Sequence, residues 1–169
     1  MRFHVVQRFD NPLAAVEAAL VDPAFLARLG EIPELGWPRL LDQRVSGCVV
    51  TQQVRYQFAG HVSAAVAKVV DPAKLSWIEV SCLDRRTHRT EHRILPEHYP
   101  TRLQCSYLTE LQPTDGTTER VADGELVVRF PLVGGKVERA IVSGLYEHAA
   151  LEGQVMAAWL ADHGVAEQG

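Results

Sequence analysis

The sequence predicts an α+β domain: an antiparallel sheet of about seven strands, framed by two short helices early and one long helix late. Three observations carry this. Strand-like runs follow one another through short turns, without the alternating strand–helix–strand pattern that a parallel sheet needs. Two proline-punctuated helical segments follow the first strand. Residues 136 to 162 then form one amphipathic run of about 27 residues, roughly 40 Å of helix at 1.5 Å per residue.

The first strand is "RFHVVQRF", with Phe3, Val5 and Phe9 on one parity and Arg2, His4 and Arg8 on the other. "DNPLAAVEAALVDPAFLARLGEI" reads as two short helices. Asp10 or Asn11 is placed to cap the first, with Pro12 at its first position, and Asp22-Pro23 repeats the arrangement before Gly30 ends the second. "RLLDQRVSG" and "VVTQQVRYQF" are strands joined near Gly47, and "HVSAAVAKVVDPAKL" has room for a turn or two of helix. "LSWIEVSCLD" is strand-like, and "RRTHRTEHRIL" alternates charge with Thr and His, as a solvated strand would. "TRLQCSYLTEL" places Leu103, Cys105, Tyr107 and Leu111 on one face; Asp115-Gly116 signals a hairpin, and "TTERVADGELVVRF" returns with a bulge expected at Gly124.

Composition fits a single domain spanning residues 1–169, with 47% hydrophobic and 22% charged residues, long enough to bury a sizeable core. A net charge of −4 gives no basic footprint for nucleic acid. Cys48, Cys82 and Cys105 lack the paired spacing of zinc sites or disulfide frameworks, so reduced thiols, no metal and no cofactor are expected. No run approaches the ~20 apolar residues of a membrane span, and the N-terminus lacks a signal-peptide core, so a cytoplasmic protein without stable membrane insertion is expected. His88 and His92 invite a metal reading, but four residues apart on a strand they stand ~13 Å from each other, too far for one ion.

In "FPLVGGKVE" a glycine pair precedes a lysine at the start of the long helix. A Walker-type phosphate loop needs Ser or Thr where Val137 stands, and a dinucleotide fingerprint needs a βαβ unit. The alternative is a hinge: Pro131 ends strand pairing, and Gly134-Gly135 turns the backbone so that the helix folds back over the sheet. On that helix Val137, Ile141, Leu145, Ala149, Met156 and Trp159 share one broad arc, and Lys136, Arg139, Ser143, Glu147 and Gln154 lie opposite.

This order of elements, with the local "PLVGGKVE" run and the trailing "WL", resembles the START-like helix-grip superfamily of polyketide cyclases, lipid-transfer domains and plant pathogenesis-related proteins. More narrowly it resembles the bacterial domain of unknown function 2505. The resemblance implies a curved sheet gripping the C-terminal helix, with an apolar cavity between them for a lipid, sterol or polyketide-like molecule. Gly144 and Gly153 thin the helix, either for cavity space or for close packing.

His148 and Glu152, spaced i, i+4 inside the apolar arc, are the candidates for acid/base chemistry, or else a satisfied polar pair at the edge of the buried face. Under the resemblance, Tyr107, Glu79, Ile141, Leu145, His148, Glu152 and Trp159 line the ligand. Glu79, Ser81, Arg55, Gln53, Tyr107 and Thr109 sit on strand faces, but parity alone does not choose which face looks inward. The expected function is binding of a hydrophobic small molecule. The alternatives are a cyclase or dehydratase, with His148 as acid/base oriented by Glu152 or Tyr107, and a partner-binding module whose interior is filled by its own Trp and Leu side chains.

Overall fold

A computed structural model describes residues 1–32, 36, 38–59 and 63–163. Seven strands form one antiparallel sheet: β1 (Arg2–Phe9), β2 (Arg39–Ser46), β3 (Val49–Gln57), β4 (Ser76–Asp84), β5 (Arg89–Pro96), β6 (Leu103–Thr114) and β7 (Thr117–Val128). Their order across the sheet is β1-β7-β6-β5-β4-β3-β2, so every neighbouring pair except β1–β7 is a sequential hairpin. Helices α1 (Leu13–Leu20) and α2 (Pro23–Arg28) follow β1, a four-residue α3 (Ala64–Ala67) lies between β3 and β4, and α4 (Gly134–His163) ends the described chain.

Local chemistry explains the turns. Asp115 (φ 46°) and Gly116 (φ 84°) both occupy the left-handed region, which is what a two-residue hairpin needs to match the strand twist, and the pairing runs to Thr114 opposite Thr117. Asp22 caps α2 by accepting from the Ala24 N–H, with Pro23 in the first turn. α1 differs from the expectation: Pro12 itself is the N-cap, with no side-chain bond, while the Asn11 carbonyl accepts the buried Thr118 hydroxyl at 2.7 Å. That bond ties the start of the helix to β7 instead of capping it. Gly30 does not end α2 directly, because a 3₁₀ turn over Leu29–Glu31 extends it.

Two other glycine expectations are corrected. β6 and β7 pair without a register shift at Gly124, so there is no bulge. A Cβ there would come within 2.3 Å of Phe3 and 2.5 Å of Tyr107, so Gly124 leaves room for the rings above it. Neither Gly134 nor Gly135 has a positive φ; the left-handed residue before α4 is Leu132, at φ 67°. Gly134 is instead required by proximity, since a Cβ on it would meet the Val128 carbonyl oxygen at 2.6 Å, whereas one on Gly135 would approach only the tip of Arg139, at 3.7 Å. At Gly144 and Gly153 an added Cβ would meet open space, so neither permits a close backbone approach.

Helix α4 lies against β1 and β7 and against α1 and α2. Its N-terminal half joins a core of Phe3, Val5, Leu126, Val128 and Val137. Its C-terminal half joins a second core, in which Met156 and Leu160 pack with Phe9, Val16 and Phe25. The helix thus seats on one side of the sheet, and the inner face of β3 to β6 is left to carry other residues.

Candidate functional site

Residues directly opposite one another in an antiparallel sheet point to the same face. Following the register from β2 to β1 gives a transverse row on the inner face: Gln43, Gln52, Ser81, His92, Tyr107, Gly124 and Phe3. Its first five members are polar or carry a polar atom, and beside them Glu79 pairs with Val54 and Ile94 on the same face. Polar groups therefore converge on the floor of the sheet, away from where α4 sits.

His92 is the centre of this floor. Its Nδ1 lies 2.9 Å from Glu79 Oε1 and its Nε2 3.1 Å from Thr109 Oγ1. A carboxylate only accepts, so Nδ1 carries the hydrogen and Nε2 faces the threonine hydroxyl. The Tyr107 ring stacks on the imidazole at 4.2 Å with only 4° between the planes. Tyr56 stacks in turn on Trp77 at 5.7 Å, at the β3–β4 end of the floor.

Both phenols are held well above their ordinary range, chiefly by burial and next by the charge of Glu79. They stay protonated at neutral pH and act as O–H donors. Burial and the same carboxylate push the Cys105 thiol up to about 12, so it is no nucleophile. Among the described residues neither Tyr56 nor Tyr107 donates its hydroxyl to a protein group, yet no buried side-chain oxygen or nitrogen lacks a partner. The two phenols are half-buried, with hydroxyls spent on no protein group among the described residues; ligand pockets typically carry a few such polar groups among apolar walls.

A second polar cluster sits beside the first and is closed. Glu152, buried on α4, is bonded by the Arg120 guanidinium from β7 and by Gln7 Nε2 from β1 at 3.2 Å. Gln7 also donates to the Ala149 carbonyl at 2.6 Å and accepts from Arg120 Nε at 2.6 Å. Burial alone would raise the Glu152 carboxyl, but Arg120, with help from His148 and Gln7, outweighs it and holds the group below its usual value. The clasp joins α4 to both strands beneath it.

The residues expected to line a ligand divide accordingly. Tyr107 and Glu79 lie on the inner floor together with Ser81 and Thr109, while Arg55 and Gln53 have the opposite parity, and Arg55 donates to Glu97 at 2.8 Å. Ile141 and Leu145 are half-buried against the first core. Trp159 packs on Phe25 at 5.9 Å and stacks on His163 at 3.7 Å, at the far end of α4. His148 is half-buried with no hydrogen-bond partner among the described residues, and the bonds Glu152 makes go to Arg120 and Gln7 rather than to it. His88 stands in the turn before β5 (φ 55°), where its Nδ1 meets Glu17 at 2.7 Å.

The expectation that β5 is a solvated strand holds for Arg89, Glu91 and Arg93 and fails for His92, which register turns inward. Its signal was visible: Thr90, His92 and Ile94 share the parity opposite the charged residues. Gln7 and Arg120 left a similar trace, each the one long polar side chain on the inward parity of its strand. Tyr56 and Gln52 lie on the same parity as buried Val50 and Val54.

Residues 4–160 match the model of the family described as Protein of unknown function (DUF2505). No curated protein matches the chain. Solved structures share the fold. TTHA0849 from Thermus thermophilus superposes with a TM-score of 0.67 at 13% identity, over 95% of this chain and 99% of that one. The Zhui aromatase/cyclase from Streptomyces sp. R1128 gives 0.64 at 16% identity, over 100% and 98%. The di-domain aromatase/cyclase BexL of the BE-7585A biosynthetic pathway gives 0.62 at 13% identity, over 91% of this chain and 45% of its own. The match over nearly the whole length places the chain in this family of proteins of unknown function, and the seven-stranded sheet with the long helix laid across it gives that family member a helix-grip fold.

Proposed function

We propose that the protein binds a hydrophobic small molecule carrying a hydrogen-bonding group, held between α4 and the inner face of β3 to β6. One observation carries this reading: Tyr56 and Tyr107 are half-buried phenols that stay protonated and spend their hydroxyls on no protein group among the described residues. A structural polar group would be paired off, as Glu152 is. The apolar side of the ligand rests on the flank built from Ile141 and Leu145, while Tyr107, Tyr56 and the His92–Glu79 pair meet its polar group. His148, on the same helix as Ile141 and Leu145, completes the wall, and Trp159 closes the end against α2. The likeness to aromatase/cyclases supports a ligand of lipid, sterol or polyketide-like character. Gently purified protein should release such a compound on organic extraction, detected by mass spectrometry, and should bind an environment-sensitive fluorescent lipid saturably. Absence of both defeats the reading.

A second reading, an acid/base enzyme acting on that molecule, is favoured by the His92–Glu79 pair. Glu79 fixes the imidazole through Nδ1, and a ligand group that displaces the Thr109 hydroxyl from Nε2 would meet a base there. Incubating the extracted compound with fresh protein decides it: a mass change that disappears in His92→Asn supports catalysis, and an unchanged compound leaves a carrier.

A further inference from the structure

Leu132 is fully exposed, at 102% of its reference area, and holds φ 67°. A side chain at positive φ costs conformational energy that glycine or asparagine avoids, and an exposed leucine returns nothing to the fold. The fold therefore gives no reason for leucine at this tip.

Its surroundings do. The β3–β4, β5–β6 and β7–α4 connections all leave the same end of the antiparallel sheet. They are bound to one another there. Val66 and Val70 share a core with Val128 and Val137; Tyr99 meets Phe130 edge-on at 5.6 Å and accepts from the Asp71 N–H; Arg102 lies over the Phe130 ring at 5.2 Å. Val69, 41% exposed, adds a second apolar side chain. Around these two, the segments 63–75, 97–102 and 129–137 carry the exposed cations Lys68, Lys74, Arg102, Arg129 and Lys136 against two carboxylates, Asp71 and Glu97, the second of them paired with Arg55, although the whole chain carries −4. An apolar tip ringed by cations on an otherwise acidic protein is complementary to an anionic bilayer, where the tip enters the acyl boundary and the cations meet headgroups. No helix among the described residues is long and apolar enough to cross a membrane.

We propose that this end of the domain docks peripherally on anionic lipid bilayers through Leu132. The inference does not rest on the ligand reading above. The test is co-sedimentation of the full chain with phosphatidylcholine vesicles, with and without phosphatidylglycerol, at low and high salt. Wild type should bind the phosphatidylglycerol vesicles, weakly the neutral ones, and lose affinity as salt rises. Leu132→Gly, which suits the positive φ and so folds at least as well, should bind about tenfold more weakly or worse, and Arg129→Glu with Lys136→Glu should abolish the preference for phosphatidylglycerol. No binding to either vesicle, the result expected if the tip meets a protein, overturns the proposal. So does Leu132→Gly binding as wild type does, or equal affinity for both vesicles.

Discussion

The interior holds two polar clusters side by side, built from similar groups, and they differ in one respect. Around Glu152 the polar groups bond one another across three elements: Arg120 and Gln7 donate to the carboxylate, Arg120 donates to Gln7, and Gln7 donates to the Ala149 carbonyl. Around His92 the imidazole is satisfied by Glu79 and Thr109, while the hydroxyls of Tyr107 and Tyr56 are left over. A closed network contributes to the fold and has nothing to offer a ligand; an open one has valence to spare. Burial and residue type alone do not distinguish them, because Glu152 and His92 are both ionisable groups on the inner side.

Breaking the closed cluster should have the largest effect. Arg120→Leu leaves the Glu152 carboxylate buried without its cation and should cost about 3 to 5 kcal/mol, read from urea unfolding. Binding of the fluorescent lipid by the folded fraction should persist. The same clasp predicts a pH dependence. Because the folded-state pKa of Glu152 lies below the unfolded one, its contribution is present above the unfolded value, about 4.3, and is lost as pH falls through the folded value. Unfolding curves recorded across that range should show wild type losing stability on acidification and Glu152→Gln losing less.

Gly124→Ala sits between the clusters in size of effect. The new methyl collides with Phe3 and with Tyr107 Cβ, so it should cost about 1 to 3 kcal/mol and weaken lipid binding together, because Tyr107 must move. Lost stability with unchanged binding would separate Tyr107 from the ligand.

Tyr107→Phe and Tyr56→Phe probe the open cluster directly. With no protein partner to orphan, each should change stability by less than about 0.5 kcal/mol while lowering fluorescent-lipid affinity severalfold. A destabilisation well beyond that would mean the hydroxyl is already engaged, and the contrast between the clusters would collapse. The smallest effect is expected at the start of α4. Gly134→Ala should destabilise through the Val128 carbonyl, whereas Gly135→Ala, whose Cβ would make only an ordinary contact with the tip of Arg139, should raise the melting midpoint by an amount worth up to about 1 kcal/mol of helix propensity.

Much of the fold was legible because it rests on local chemistry. Period-2 and period-3.6 patterns marked all seven strands and the 30-residue final helix, and Asp115-Gly116 and Asp22-Pro23 marked their turn and cap. Glycine was misread where distance between elements, not φ, sets the requirement: Gly124 and Gly134 are needed because Phe3 and the Val128 carbonyl come close, and neither approach is written in the flanking residues.

The site was legible only in fragments. Glu79 and Tyr107 stood out as polar residues on strands, and Glu152 as a charge on an apolar helix face, but nothing local tells a carboxylate paired with a histidine, as Glu79 is, from one clasped by an arginine, as Glu152 is. Sequence by itself determined which residues alternate along each strand and which share the arc of the helix, since these follow from backbone periodicity. Register decided the rest. The pairing of β3 with β4, β4 with β5 and β5 with β6 brought Gln52, Ser81, His92 and Tyr107 into one row, and the seating of α4 on β1 and β7 gave Glu152 to Arg120 and Gln7 instead of His148. These are contacts between residues tens of positions apart, and their free energy exists only once the chain has closed on itself.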